Sequence, residues 1–223
     1  MKRVDRPSPN HDERNASIDM LVLHYTGMAS AEAALSRLTD PAAKVSAHYT
    51  IDEAGVIHAH VPETRRAWHA GVSHWAGATD INARSIGIEL VNPGHEFGYR
   101  AFPEDQIASL ITLCHSILVR HPIPSWRVLG HSDVAPERKE DPGELFPWKR
   151  LALAGIGLWP ERRPSNLGPE SLARYGYVPD APLERTITAF QRHFRPNLLD
   201  GQWDQECAEL LHGLLEIFSR PSL

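Results

Sequence analysis

At 223 residues the chain is long enough to bury one substantial core and to carry a small second unit. Its 23 basic and 28 acidic residues leave a formal charge of -5, which offers nucleic acid or anionic lipid no basic surface. No run approaches the roughly 18 apolar residues of a membrane span, and the polar start MKRVDRPSPNHDERN lacks the apolar stretch of a secretory signal, so a cytoplasmic protein without membrane insertion is expected.

Residues 18–25 (IDMLVLHY) form a bounded apolar run ended by Thr26-Gly27, the pattern of a buried central strand. A helix is expected over 30–39, with Ser30 as its N-cap. Residues 45–51 alternate with a period of two, and Asp52 to Gly55 supply turn chemistry before Val56–Val61, which predicts a hairpin. Further strands are expected at 85–91 and 127–131. Between them, over 103–120, Ile107, Leu110, Ile111, Cys114, Ile117 and Leu118 make one helical stripe that must lie on the sheet. The expected fold class is α/β: a central mixed sheet flanked by helices.

Prolines and glycines interrupt every period over 157–169, which marks a linker between a large unit, residues 1–158, and a small one, residues 170–223. The small unit reads as three short helices. One stripe contains Leu183, Ile187 and Phe190, and another contains Cys207, Leu210, Leu211, Leu214 and Phe218 after Asp204 as N-cap. Both cysteines, Cys114 and Cys207, sit on such stripes and are expected as small buried hydrophobes rather than as a disulfide.

Thirteen histidines are more than an ordinary chain of this length carries, so metal binding or acid–base chemistry comes first among the functional readings. His24 and His131 stand at strand ends, and Asp141 follows ten residues later in a loop closed by Pro142-Gly143. Two imidazoles and one carboxylate would leave a fourth position open on zinc, the composition of a catalytic site. Spacing alone does not choose this set. His58 with His60, and His131 with Asp133, share strand faces at i and i+2, and His69 and His74 flank a glycine in a loop where they could bind substrate. Glu89 interrupts an otherwise apolar strand, as a water-activating base would or as an edge residue facing water would. Lys139 lies two residues from Asp141, as a stabiliser of a developing oxyanion or as a solvated surface lysine.

Five segments decide among these readings: LVLHYTG (21–27), SAHYTIDEAG (46–55), AWHAG (67–71), SIGIELVN (85–92) and GHSDVAPERKEDPG (130–143). In that order they resemble the type 2 N-acetylmuramoyl-L-alanine amidases, over about residues 15–155. The resemblance implies His24, His131 and Asp141 as Zn2+ ligands, Glu89 as the catalytic acid–base group and Lys139 as the transition-state stabiliser. It also implies Trp68, His69 and Asn92 along a groove for muropeptide or peptidoglycan fragments. The tail segments LARYGY (172–177), ITAFQRHF (187–194) and DGQWDQECAELL (200–211) are similar to a three-helix peptidoglycan-binding domain attached to some of these amidases. The implied activity is hydrolysis of the bond between N-acetylmuramic acid and L-alanine, on 1,6-anhydro fragments in cell-wall recycling if the chain stays in the cytoplasm. A non-catalytic recognition module is the rival reading. A zinc protease is a third, although the chain lacks an HExxH helix.

Overall fold

The computed structural model describes residues 2–218. Elements are numbered in chain order. The strands are β1 (Arg3–Asp5), β2 (His11–Glu13), β3 (Met20–Tyr25), β4 (Tyr49–Ile51), β5 (Ile57–Ala59), β6 (Arg65–Ala67), β7 (Ser85–Leu90) and β8 (Val128–Gly130). The α-helices of the larger unit are α1 (Ala31–Thr39), α2 (Ile81–Arg84), α3 (Gly94–Phe97), α4 (Glu104–Arg120), α5 (His131–Val134) and α6 (Trp148–Leu153), and those of the tail are α7 (Leu172–Tyr175), α8 (Leu183–Phe194) and α9 (Gln205–Phe218). Six strands form one mixed sheet in the order β1-β5-β4-β7-β3-β8, in which only β4 and β5 run antiparallel. This is the α/β mixed sheet that the patterning predicts. None of the described helices is long and apolar enough to cross a membrane.

Alternation along the central strands sorts side chains onto two faces. Leu21 and Leu23 of β3 and Ile86, Ile88 and Leu90 of β7 join Ile107, Leu110, Cys114 and Ile117 of α4 in one buried cluster. Met20 and Val22 face the other way, into a second cluster with Leu129, Trp75 and the tail residues Leu172, Tyr175, Tyr177, Ile187, Phe190, Phe194, Cys207, Leu211 and Leu214. The tail therefore closes the second face of the sheet, and apolar burial at about 25 cal/mol per Å² holds it there. At the seam Gly176 takes φ +139°, and a Cβ there would lie 2.6 Å from the Trp75 ring. The close approach excludes any larger residue. Asp204 caps α9, its Oδ1 accepting from the Cys207 N–H at 2.9 Å, and both cysteines are buried and free. The side chain of Phe218, expected on the α9 stripe, lies outside the described residues.

Some boundaries differ from the sequence pattern. Of residues 45–51 only Tyr49–Ile51 form strand; His48 still bonds to Gly87 and His60 on either side, but the Ser46 N–H turns away to the Trp68 carbonyl. The strand expected at 127–131 ends at Gly130, and His131 opens the short helix α5. His131 and Asp133 thus share a helical turn and not a strand face. Three short strands, β1, β2 and β6, escape the pattern altogether: β1 is exposed throughout, and the main chain of β5 holds it at the sheet edge.

Candidate metal centre

β3 and β7 are parallel neighbours with His24 directly opposite Glu89, near the carboxyl ends of both strands. Crevices at such strand ends are where open α/β sheets place their chemistry. On β7 the small and polar residues Ser85 and Gly87 share the face of Glu89, while Ile86, Ile88 and Leu90 fill the opposite core. β8 delivers His131 beside His24, and the following loop returns Asp141, tied by the Ser132 N–H donating to the Asp141 carbonyl at 2.9 Å. His24 Nδ1, His131 Nδ1 and Asp141 Oδ2 lie 3.0 to 3.1 Å from one another, all three residues buried. Among the described residues no other group of three His, Cys, Asp or Glu side chains converges in this way.

Hydrogen-bond partners on the far side of each ring suit the tautomers that a metal at Nδ1 would need. A carbonyl can only accept, so His131 Nε2–H donates to the Ala70 oxygen at 3.1 Å, which leaves a lone pair on Nδ1. For His24 the chain is longer. Ser85 Oγ–H donates to the Ile81 carbonyl at 2.6 Å, so Ser85 Oγ accepts from His69 Nε2–H at 3.1 Å. His69 Nδ1 then accepts from His24 Nε2–H at 3.0 Å, which again leaves Nδ1 of the candidate ligand unprotonated. Two nitrogen lone pairs and a carboxylate oxygen thus face a common point. Zinc ligands at 2.0 to 2.2 Å in a tetrahedron stand roughly 3.3 Å apart, so the donor set fits zinc in chemistry and in spacing.

The surrounding electrostatics agree. Burial first, and then the neighbouring His131, push His24 down to about 4. Burial and the adjacent imidazoles hold His69 well below its usual range. Burial alone would raise Asp141, but His131 and His24 outweigh it and hold the carboxylate ionised well below the usual range. Glu89 behaves oppositely. Burial, then the charge of Asp141, push it well above a normal carboxylate, with Lys139 opposing. One of its oxygens, Oε2, is shielded from solvent and has no hydrogen-bond partner, the state of a group reserved for a proton.

A cleft of about 390 Å³ opens over this centre, lined in part by Trp68, His69, Glu89, His131, Lys139 and Asp141. Trp68 is half-buried on the wall, its Nε1–H donating to Asp12 at 2.7 Å. His69 borders the cleft but spends both ring nitrogens on His24 and Ser85. Asn92 does not line it: the side chain is buried, donating to the Arg100 carbonyl and accepting from the Gly94 N–H. His58 and His60 lie elsewhere, bonded to Asp52 and to Thr50 and the Arg6 carbonyl. His74 lines a separate cavity, beyond Arg138.

Three residues that the sequence reading passed over support the cleft. Asn82 accepts from the His69 and Ala70 N–H groups at 3.0 and 2.8 Å, Arg138 donates to the Ala70 and Val72 carbonyls, and Ser85 holds His69. The alternation of Ser85, Gly87 and Glu89 against Ile86, Ile88 and Leu90 within SIGIELV is the signal that singles out this face.

Comparison with known proteins identifies the family. The family model described as N-acetylmuramoyl-L-alanine amidase matches residues 14–144. The N-acetylmuramoyl-L-alanine amidase AmiD of Escherichia coli (strain K12) is 41% identical over 91% of this chain and 84% of its own length. The 1,6-anhydro-N-acetylmuramyl-L-alanine amidase AmpD of Citrobacter freundii is 34% identical over 65% of this chain and 86% of its length. Among solved structures, the complex of E. coli AmiD with the substrate anhydro-N-acetylmuramic acid-L-Ala-D-gamma-Glu-L-Lys superposes with TM-score 0.82 at 39% identity, covering 94% of each chain. AmpDh3 from Pseudomonas aeruginosa in complex with anhydromuramic pentapeptide gives 0.83 at 35% identity, covering 96% of each. With a family model matched over more than half its length and a relative aligned along nearly all of it, this chain belongs to the N-acetylmuramoyl-L-alanine amidase family.

Proposed function

We propose that this amidase is zinc-dependent and that it releases L-alanine-linked peptides from 1,6-anhydro-N-acetylmuramic acid in peptidoglycan fragments, as a recycling step. The observation that carries the reading is the meeting of three lone-pair donors, His24 Nδ1, His131 Nδ1 and Asp141 Oδ2, beside the unpartnered Glu89 oxygen. Bound there, zinc supplies Lewis-acid activation of water and of the amide carbonyl. The raised basicity of Glu89 suits it to take a proton from the attacking water at Oε2 and to return it to the departing alanine nitrogen. Lys139 lines the cleft, and its ammonium would counter the negative charge that develops on the carbonyl oxygen. Trp68 offers an apolar surface for the sugar or lactyl end.

The anhydro preference is supported by two relatives whose structures hold anhydromuramyl peptides. Mass spectrometry of muropeptide digests tests the whole reading. The expected products are a free peptide and an anhydromuramyl sugar, formed by the zinc-loaded chain and not after chelation. Binding without cleavage would favour the recognition module, and cleavage within the peptide would favour a protease. The expected cytoplasmic setting belongs to this proposal; fractionation of the native host, paired with kinetics on anhydro fragments, reducing-end fragments and intact sacculi, tests it.

A further inference from the structure

Asp133 lies two residues beyond His131 and is not used by the reaction, yet it is 1% exposed and takes three hydrogen bonds. Its Oδ2 accepts from the N–H of Gly130, the residue directly before His131, at 2.7 Å. The other two donors come from the tail: Tyr177 Oη–H to Oδ1 at 2.7 Å and His193 Nδ1–H to Oδ2 at 2.7 Å. A buried carboxylate is stable only when its acceptor sites are filled, and here the tail fills two of them.

The donors are themselves immobilised. The His193 ring stacks between Trp148 and Phe194, with centroids 3.8 and 3.9 Å away and planes within 20° and 8°. Tyr177 packs edge-on against Trp75 at 5.0 Å. Gly130 is enclosed as well: a Cβ there would meet Pro142 at 2.8 Å, Trp148 at 3.3 Å and Asp133 at 3.4 Å. The turn carrying His131 is thus fixed from behind by groups on α8 and on the segment after α7.

We propose that the C-terminal helical unit acts as a brace for the metal centre, with Tyr177 and His193 as positioning residues that hold His131 through Asp133. The proposal rests on His131 as a zinc ligand. A metal site tolerates displacements of only about 0.5 Å in its ligands, and the path from the Asp133 carboxylate to His131 is a single helical turn. The tail then serves the catalytic centre as part of one folded body and not as a detachable glycan-binding module.

The test uses the full chain stripped of metal, with zinc affinity measured by chelator competition well below the unfolding temperature. Tyr177→Phe and His193→Phe remove the donors while keeping the ring packing. Each is expected to weaken zinc binding measurably, by less than the roughly 10- to 100-fold that loss of a direct hydrogen-bond partner of a ligand causes. Leu214→Ala, a cavity in the same tail that does not touch Asp133, is expected to lower thermal stability and leave zinc affinity unchanged. Wild-type zinc affinity in both folded donor variants, or equal weakening in Leu214→Ala, would overturn the brace. Zinc binding that survives His131→Ala would instead overturn the metal assignment and the brace with it.

Discussion

Gly87→Ala is the smallest perturbation that reaches the metal centre through the fold. A Cβ at Gly87 would sit 2.4 Å from His69 Cγ and 2.6 Å from Cδ2 and Nδ1, against an ordinary carbon contact of about 3.5 Å. The backbone there is extended and accepts alanine freely, so the penalty is steric, and the ring must retreat by about 1 Å. His69 has no slack. Asn82 holds its backbone N–H at 3.0 Å, and its ring is bonded to Ser85 at 3.1 Å and to His24 at 3.0 Å. A retreat of that size breaks one or both ring bonds, at about 1 to 3 kcal/mol for a buried group left unpaired, added to an overpacking cost of about 1 to 3 kcal/mol. Urea unfolding of the metal-free chain should therefore show a loss of about 2 to 6 kcal/mol. Freed from His69, the His24 ring loses both its orientation and its tautomer, so zinc affinity should fall about 10- to 100-fold. Lost stability with intact zinc affinity would refute the reasoning that His69 sets His24, and unchanged stability would refute the packing argument itself.

Glu89→Gln should bind zinc as tightly as the native chain and lose at least about a hundredfold in kcat, the usual contribution of a positioned acid–base group; isothermal titration alongside muropeptide kinetics checks both halves, and retained turnover would move the base elsewhere. Lys139→Met should lower kcat with little change in KM, since its charge is needed only as the oxyanion forms; a pure KM effect would make it a substrate contact. Acid should destabilise the fold through His48 and His60, which burial holds down to about 3 and about 4 respectively. Both folded values lie below the unfolded value of about 6.5, so the stability from keeping them neutral is complete above that pH. It is lost as pH falls from there toward 4 and then 3, at up to about 1.4 kcal/mol per pH unit for each group. Urea titrations between pH 7 and 4.5 measure the slope, and His60→Gln should flatten it; a stability independent of pH over that range would contradict the burial of neutral rings.

Where burial leaves a periodic trace along the chain, the amino-acid sequence alone determines the element. The apolar runs at 20–25 and 85–90 became central strands, the 103–120 stripe became α4 on the sheet, and the hairpin after Tyr49 formed at its turn residues. The order of five motifs also carries the family, which shared ancestry writes into sequence and composition does not. Tertiary structure alone decided the rest. Strands β1, β2 and β6 are three residues long, too short to show a period, so their identity comes from partners about 54 residues away and from no local pattern. Asn92 looks like a groove residue in SIGIELVN, but folding spends it on the loop beneath Arg100. His69 reads as a groove residue and does border the cleft, but only folding brings its ring to His24, 45 residues before it, and to Ser85, 16 after. Asp133 reads as a possible ligand, and groups 44 and 60 residues downstream claim its carboxylate. Periodicity reports which face of an element is buried; it carries no record of which distant donor meets a given acceptor, because that pairing exists only once the chain has closed on itself.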